Sequence, residues 1–440
     1  YEIKKHKPVL VVLGNPPYSN FGQQNRHPWI LNLLEDYKRG LHEKKLNLND
    51  DFIKFVRWAQ WRIEQTGSGI IGYITNNVYL DGLTHRRMRQ CLLETFDEIY
   101  IVNLHGSAKK QETTPDGGKD DNVFDITVGV AIALFVKLPG AKKAKGLATV
   151  RHVDLWGRRA DKYEWLDDHH TDNTKWKKLQ PQSPGFYLVP RNASLENEFR
   201  ALWSVRDLFP VAGNAIKTER DRISIQFSEA EINRVVGDFK IGVVEELRRK
   251  YELGPDSRDW SIERAQADVR DHAKQQLTFP IVYRPFDVRY TWYSGRGKGF
   301  IGTPASGLMH HILQDKNLGL CCLRQARRGQ IDGFFAVQDL VCKDVVSPFD
   351  IGTVFPLYLY PNGNLPEEDL FAHDNGRRPN LSAEFIKDFC AKLQVKFVPD
   401  GLGRPGKREI GPEFIFHYAY AVFHSPTYRE RYAEFLRADF

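Results

Sequence analysis

The stretch Val9-Leu10-Val11-Val12-Leu13-Gly14-Asn15-Pro16-Pro17-Tyr18 decides how the first part of this chain is read. Five apolar residues in a row suit a strand covered on both faces, the kind found in parallel sheets. The residues after Gly14 do not continue the strand, because two consecutive prolines fix φ and remove two N–H donors. In an open α/β sheet, ligands bind at the carboxyl ends of the strands. The Asn side-chain carbonyl and a Pro main-chain carbonyl stand there as acceptors, with the Tyr18 ring close behind. Asn-Pro-Pro also serves as an ordinary strand-ending turn. The strand before it and the Tyr after it make it a candidate site.

Working outward, Asn49-Asp50-Asp51 reads as an N-cap with acidic first-turn residues, opening a helix whose Phe52, Phe55, Val56 and Ala59 share a face. A strand comes next at 70–75, then a helix capped by Thr84 and running through Met88, Leu92 and Leu93, then strands at 98–104 and 128–136. This alternation predicts a doubly wound α/β sheet. Residues 108–122, polar and rich in Gly, Lys and Asp, read as a mobile surface loop, and 139–145 as a similar turn. From about residue 181 the texture changes to short strands and helices with many arginines and aromatics. A boundary within 178–184 therefore divides the chain into domains 1–180 and 181–440. Two amphipathic helices are expected in the second part, one over 229–252 and one opened by Ser425 as N-cap with Pro426 at the first helical position.

Composition narrows the function classes. A chain of 440 residues should hold two or three domains. Its formal charge of +7 suits a polyanionic partner without approaching the charge density of a basic tail. The five cysteines (Cys91, Cys321, Cys322, Cys342, Cys390) show no CxxC or Cys/His ligand spacing, which argues against a zinc site and for reduced thiols in a cytosolic protein. No apolar run reaches membrane-spanning length, and the first residues lack the apolar core of a signal peptide. The chain opens on Tyr1, not Met, and closes at Asp439-Phe440 in strongly patterned sequence, so it is expected to be a piece of a longer polypeptide.

Four blocks carry a family resemblance: Gly14-Asn-Pro-Pro-Tyr-Ser19, Leu48-Asn-Asp-Asp-Phe-Ile-Lys-Phe-Val-Arg-Trp58, Gly72-Tyr-Ile-Thr-Asn-Asn77 and Asn122-Val-Phe-Asp-Ile126. In residues and in order they resemble consecutive motifs of the γ-type adenine-N6 DNA methyltransferases. Ile281-Val-Tyr-Arg-Pro-Phe-Asp-Val-Arg-Tyr290, Phe355-Pro-Leu-Tyr-Leu-Tyr360 and His424-Ser-Pro-Thr-Tyr-Arg-Glu-Arg-Tyr432 resemble the carboxyl-terminal specificity region of type ISP restriction-modification enzymes. Those are single polypeptides joining a nuclease, a helicase-like translocating ATPase, a methyltransferase and a target-recognition domain. The resemblance implies the carboxyl half of a Rossmann-like seven-stranded methyltransferase sheet, followed by a mixed α+β target-recognition domain.

It also implies S-adenosylmethionine as cofactor, bound largely by residues upstream of Tyr1. No FxGxG-like element, GxxxxGK[ST] loop or nuclease carboxylate cluster occurs in the sequence. Methyl transfer needs no metal, and Mg2+ and ATP would serve only restriction regions outside this chain. Carried over position by position, Asn15 and Pro16 bind the N6 amino group, Pro17 shapes the loop, and Tyr18 stacks on the flipped adenine. Phe124 covers the other side of the base, although it also reads as a core aromatic opening a strand. Asn15, Pro17 and Asp51 face the cofactor. Duplex DNA and the nuclease and helicase-like regions of the same polypeptide are the implied partners, in a bacterial or archaeal cytoplasm and away from membranes.

This chemistry suits those residue types. An exocyclic adenine nitrogen has its lone pair delocalised into the ring and no easily lost proton, so it gains more from carbonyl acceptors that aim it than from a strong base. Three basic segments could read neighbouring bases: Arg284, Arg289, Arg296 and Lys298 among Tyr290, Trp292 and Tyr293; Arg324, Gln325, Arg327 and Arg328; and Lys217, Arg220 and Arg222. Most such contacts go to phosphate, and any single Arg here reads equally as a solvated surface residue. Glu219 stands where the resemblance leads one to expect Gly. Two other functions remain open: methylation of a protein glutamine amide, and a DNA-binding specificity module without activity of its own.

Overall fold

The computed structural model describes residues 8–18, 24–41, 48–140, 146–315, 317–323, 333–346, 351–361 and 376–436. The chain forms two compact units, Tyr1–Glu196 and Asn197–Phe440.

In the first unit, strands β1 (Val11–Gly14), β2 (Gly69–Asn76), β3 (Glu98–His105), β4 (Val130–Lys137), β5 (Thr149–Asp154) and β6 (Lys177–Leu179) pack with helices α1 (Pro28–Lys38), α2 (Asp51–Thr66), α3 (Arg86–Thr95) and α4 (Arg159–Asp168). The described strands make one six-stranded sheet in the order β1-β2-β4-β3-β5-β6. β1 runs parallel to β2 and β3 parallel to β5, while β4 lies antiparallel between β2 and β3. The class is mixed α/β, and the sheet is mixed where a doubly wound fold would be parallel. Connectivity supplies the reason. Residues 106–129 contain no helix to carry the chain across the sheet, so it re-enters at the edge it left and β4 must run antiparallel.

Helix α2 buries Phe52, Ile53, Val56, Ala59 and Ile63, whereas Phe55, expected on that face, is 46% exposed. It stops at Gly67, whose φ of +88° is the left-handed conformation that glycine takes at a helix end, its N–H on Ile63 O at 2.9 Å. Thr84 is not the cap of α3, because a short 3-10 turn, Leu83–His85, leads into the helix. The unit reaches beyond the expected boundary at 180 because the next residues belong to its packing. Leu188 is fully buried and its N–H donates to Leu80 O, and the buried Arg89 guanidinium donates to the carbonyls of Gly185, Tyr79 and Gly82.

The second unit holds a four-stranded antiparallel sheet centred on Gly319–Leu323 and Gly352–Pro356. A three-stranded sheet contains the hairpin of Thr278–Arg284 and Asp287–Trp292. The single helix expected over 229–252 is two, Glu229–Ile241 and Val244–Lys250, broken at Gly242-Val243. Its first helix opens on a capping box of Ser228 and Glu231. Ser425 caps Pro426–Arg431 as expected, but that helix is short, and the longer Pro412–His424 before it carries the buried Ile415, Phe416 and Phe423. Four cysteines are buried and Cys390 partly so, all of them free thiols. Among the described residues no His, Cys, Asp and Glu side chains converge as metal ligands, and no helix is long and apolar enough to cross a membrane.

Candidate active site and nucleic-acid interface

Asn15 and Pro17 are exposed at the carboxyl end of β1, Pro16 is buried and Tyr18 is half-buried. Burial pushes the Tyr18 phenol well up, and its hydroxyl is shielded from solvent without a hydrogen-bond partner among the described residues. Phe124 lies beside it, the ring centroids 5.8 Å apart and inclined at 62°. The structure therefore brings Tyr18 and Phe124 together edge to face. With that inclination, a base lying flat on one ring would meet the other at its edge.

The amino end of α2 reaches the same edge of the sheet, since the Phe52 ring lies 6.3 Å from Tyr79, just past the end of β2. Of the two acidic residues there, Asp51 is engaged, accepting from Lys54 Nζ at 2.6 Å and from Asn25 N at 3.2 Å. Asp50 differs. It is buried, its Oδ1 has no hydrogen-bond partner among the described residues, and burial raises its carboxyl to about 6. Nothing in the sequence marks Asp50 as special, because an N-cap carboxylate ordinarily bonds the helix N–H groups, and here no side-chain cap bond forms.

Phe124 is held by a lattice that the sequence did not announce. The stretch 106–129, which contains the expected mobile loop at 108–122, is anchored at many points. The ammonium of Lys162, on α4, is fully buried and donates to Asp120 Oδ1 at 2.7 Å, Leu104 O at 2.8 Å and Asp121 O at 2.6 Å. Asp120 also accepts from the N–H groups of Gly106 and Gly157. Asn122 donates to Gly106 O and Val128 O and accepts from Phe124 N at 2.9 Å. Arg159 donates to Asn122 O and Phe124 O, and the Tyr163 hydroxyl to Val123 O. Gly106, with φ +77°, is required: a Cβ there would lie 2.4 Å from Asn122 Cα.

Beside this lattice is a polar cleft of about 250 Å³ lined by Asn77, Asn103, His105, Lys110, Glu112 and Asp154, among others. His105 Nε2 meets Asp154 Oδ1 at 2.7 Å, Glu112 lies 3.7 Å from Nδ1, and the ring stacks on Trp156. Burial opposes protonation, but the bonds to Asp154 and Glu112 outweigh it and hold the imidazole above its usual value.

In the second unit, main-chain pairing of Lys217 with Thr303 and a bond from Tyr283 OH to Asp221 join the described basic segments into one region. Most of those cations are already engaged. Lys217 pairs with Glu219, Arg222 with Glu252, Arg289 with Asp287 at 2.8 Å, Arg296 with Asp271 at 2.6 Å and Lys298 with Asp259 at 4.0 Å. Arg220 donates to the carbonyls of Glu219 and Pro255 and lies over Trp260. Arg284 has no carboxylate partner among the described residues; it donates to Tyr283 O. Glu219 takes φ +69°, the left-handed backbone for which glycine is the usual choice. Arg324, Gln325, Arg327 and Arg328 lie outside the described residues.

Solved structures share this fold. The ATP-dependent Type ISP restriction-modification enzyme LlaBIII bound to DNA is similar over 99% of this chain and 28% of its own, with TM-score 0.66 and 22% identity. The DrdV–DNA complex is similar over 99% and 42%, with TM-score 0.64 and 22% identity. A nuclease-deletion mutant of the Type ISP enzyme LlaGI, in complex with a DNA substrate mimic, is similar over 98% and 39%, with TM-score 0.62 and 20% identity. This chain thus spans less than half the length of each. A search of curated proteins finds no match. The architecture is one found in restriction-modification enzymes. More narrowly, a family model described as the Type ISP C-terminal specificity domain matches residues 207–440, and the chain belongs to that family.

Proposed function

We propose that the first unit is the adenine-facing part of an N6 DNA methyltransferase and the second its target-recognition domain, within a restriction-modification enzyme. The observation that carries this reading is the rigid Asn15–Tyr18 loop at the carboxyl end of β1, with Phe124 delivered to the Tyr18 ring. The six described strands outnumber the carboxyl half of a seven-stranded sheet, so on this reading the complete sheet carries strands beyond seven. β1 is its terminal described strand, yet Leu10, Val11 and Leu13 are 57%, 54% and 73% exposed, the surface expected where a sheet continues into further strands.

Asn15 Oδ1 and the Pro16 carbonyl accept hydrogen bonds from the two N6 protons, turning the nitrogen lone pair out of the ring plane. Tyr18 holds the extruded base by its face and Phe124 by its edge. S-adenosylmethionine, when bound, supplies the methyl electrophile. The orphaned carboxylate oxygen of Asp50, at the carboxyl edge of the sheet, fits as an acceptor for a donor group of that cofactor better than Asp51 does. After transfer, the surplus N6 proton leaves to solvent past the exposed Asn15.

The test is incubation of the full-length polypeptide with methyl-labelled S-adenosylmethionine and unmethylated genomic DNA, then digestion to nucleosides. Label is expected in N6-methyladenine, falling about 10²- to 10³-fold in Asn15→Ala with DNA retention unchanged. Retention of DNA without label would leave a specificity module only. Label in protein glutamine would point to amide methylation.

A further inference from the structure

Phe286 is 99% exposed, and its φ is +62°. It sits with Pro285 at the tip of the hairpin in which Arg284 pairs with Asp287. Proline and then a left-handed residue is the arrangement of a type II turn, where glycine or asparagine normally takes the second place. The turn therefore does not call for phenylalanine; a glycine would hold it without strain. Nor does the core, since among the described residues the ring's one aromatic neighbour, Phe335, meets it edge-on at 6.3 Å and leaves it in solvent. A bulky side chain kept in a strained conformation and withheld from the interior points to something met from outside.

The surroundings say what that is. Arg289 lies between two aromatic rings, 4.2 Å from Phe227 and 4.3 Å from Tyr283, and Arg284 covers Tyr283 at 3.9 Å. Phe227 is itself 74% exposed. Guanidinium and aromatic groups alternate along Phe227, Arg289, Tyr283 and Arg284, and Arg284, though near enough to Asp287 to help lower that carboxyl, makes no ion pair with it or with any other described residue. Stacked planes and a guanidinium outside any close ion pair together match a nucleic acid: bases for the rings, phosphates for the guanidinium.

We propose that Phe286 is a wedge that inserts between neighbouring bases of duplex DNA, with Arg284 on the flanking phosphate. The proposal rests on the DNA-binding reading of the second unit and adds how the duplex is deformed there. Apolar wedges at exposed tips open base steps in this way, and the bent duplex then meets more protein surface.

A duplex pool with a randomised centre is selected on the full-length protein, and one selected duplex is used to compare wild type with Phe286→Ala, Phe286→Gly and Phe286→Trp at fixed salt. Loss of a stacked ring should weaken binding by about ten- to a hundredfold in the Ala and Gly variants, with Trp within about threefold of wild type. Thermal melting should be unchanged in Ala and not lowered in Gly, which relieves the turn. An abasic site scanned through the duplex should restore much of the Ala deficit at one step, where unstacking no longer has to be driven. Ala binding within about twofold of wild type, or a deficit that no abasic position relieves, overturns the wedge. Failure of wild type to retain any duplex overturns the DNA reading itself, and the wedge with it.

Discussion

Phe124 and Phe286 are presented in opposite ways. The first is delivered to Tyr18 by a loop whose backbone is claimed at almost every residue from 120 to 124 by Lys162, Arg159, Tyr163 and its own carboxylates and amides. The second stands on a two-residue turn, strained and bare. The difference follows from the tasks proposed. A reacting base must be held to a fraction of an ångström, which needs a rigid, internally satisfied surround. A contact that opens a duplex needs reach and an uncovered ring, and part of its cost is carried by the turn.

The largest effect that could break this contrast lies in the buried lattice. Lys162→Met leaves Asp120 charged, buried and short of its main partner, and should cost about 3–5 kcal/mol. Urea denaturation of the full chain checks this. Lys162→Met with Asp120→Asn should recover part of the loss, because it removes the unpaired charge and keeps an oxygen to accept from a Gly106 or Gly157 N–H group. A loss under about 1 kcal/mol in the single variant would mean that the loop is held by its peripheral bonds, and Phe124 would then be no better fixed than Phe286.

Asp50 offers the next test. Its folded value of about 6 lies above the ordinary 3.8, so the native state binds a proton more tightly than the unfolded chain does. Its contribution is neutral below about pH 4 and becomes a penalty as pH rises through 6, where the buried carboxyl ionises. Asp50→Asn should therefore flatten stability between pH 4 and 7 and raise it above pH 6, by at most about 3 kcal/mol. The difference between the two proteins cancels the titration of His105, Glu112 and Asp154. If a cofactor group occupies that oxygen, the same variant should bind S-adenosylmethionine more weakly while becoming more stable.

The legible parts of the sequence were those where a local pattern and a physical constraint coincide. The apolar run into Asn15-Pro16-Pro17-Tyr18 marked both a strand and its end, and Ser425-Pro426 marked a helix start. The antiparallel insertion of β4 was illegible, because which strand lies beside which is set by pairing far apart in sequence. Lys162 and Asp120 were hidden for a related reason: each reads locally as a solvated charge, and only the fold removes both from water. Residues 108–122 were read as mobile on composition alone, and composition does not reveal that its polar groups answer one another. Phe286 was in plain view within the block 281–290, but an aromatic in a patterned strand reads as core until the turn places it outside. The basic clusters were legible as cations but not as ion pairs, since sequence counts cations without the acidic partners that the fold brings to them.

Arg222 gives the smallest effect and the finest test of the contrast. Its guanidinium and the Glu252 carboxylate are 59% and 70% exposed, so water already screens the pair and its loss should change stability by under about 1 kcal/mol. Stability is therefore silent about it. If the pair opens so that Arg222 meets a phosphate, Arg222→Ala should lower the slope of log affinity against log salt by about 0.9, uniformly across DNA sequences. An unchanged slope would leave Arg222 on Glu252 with no part in binding, and would leave Arg284 to answer the backbone from this face.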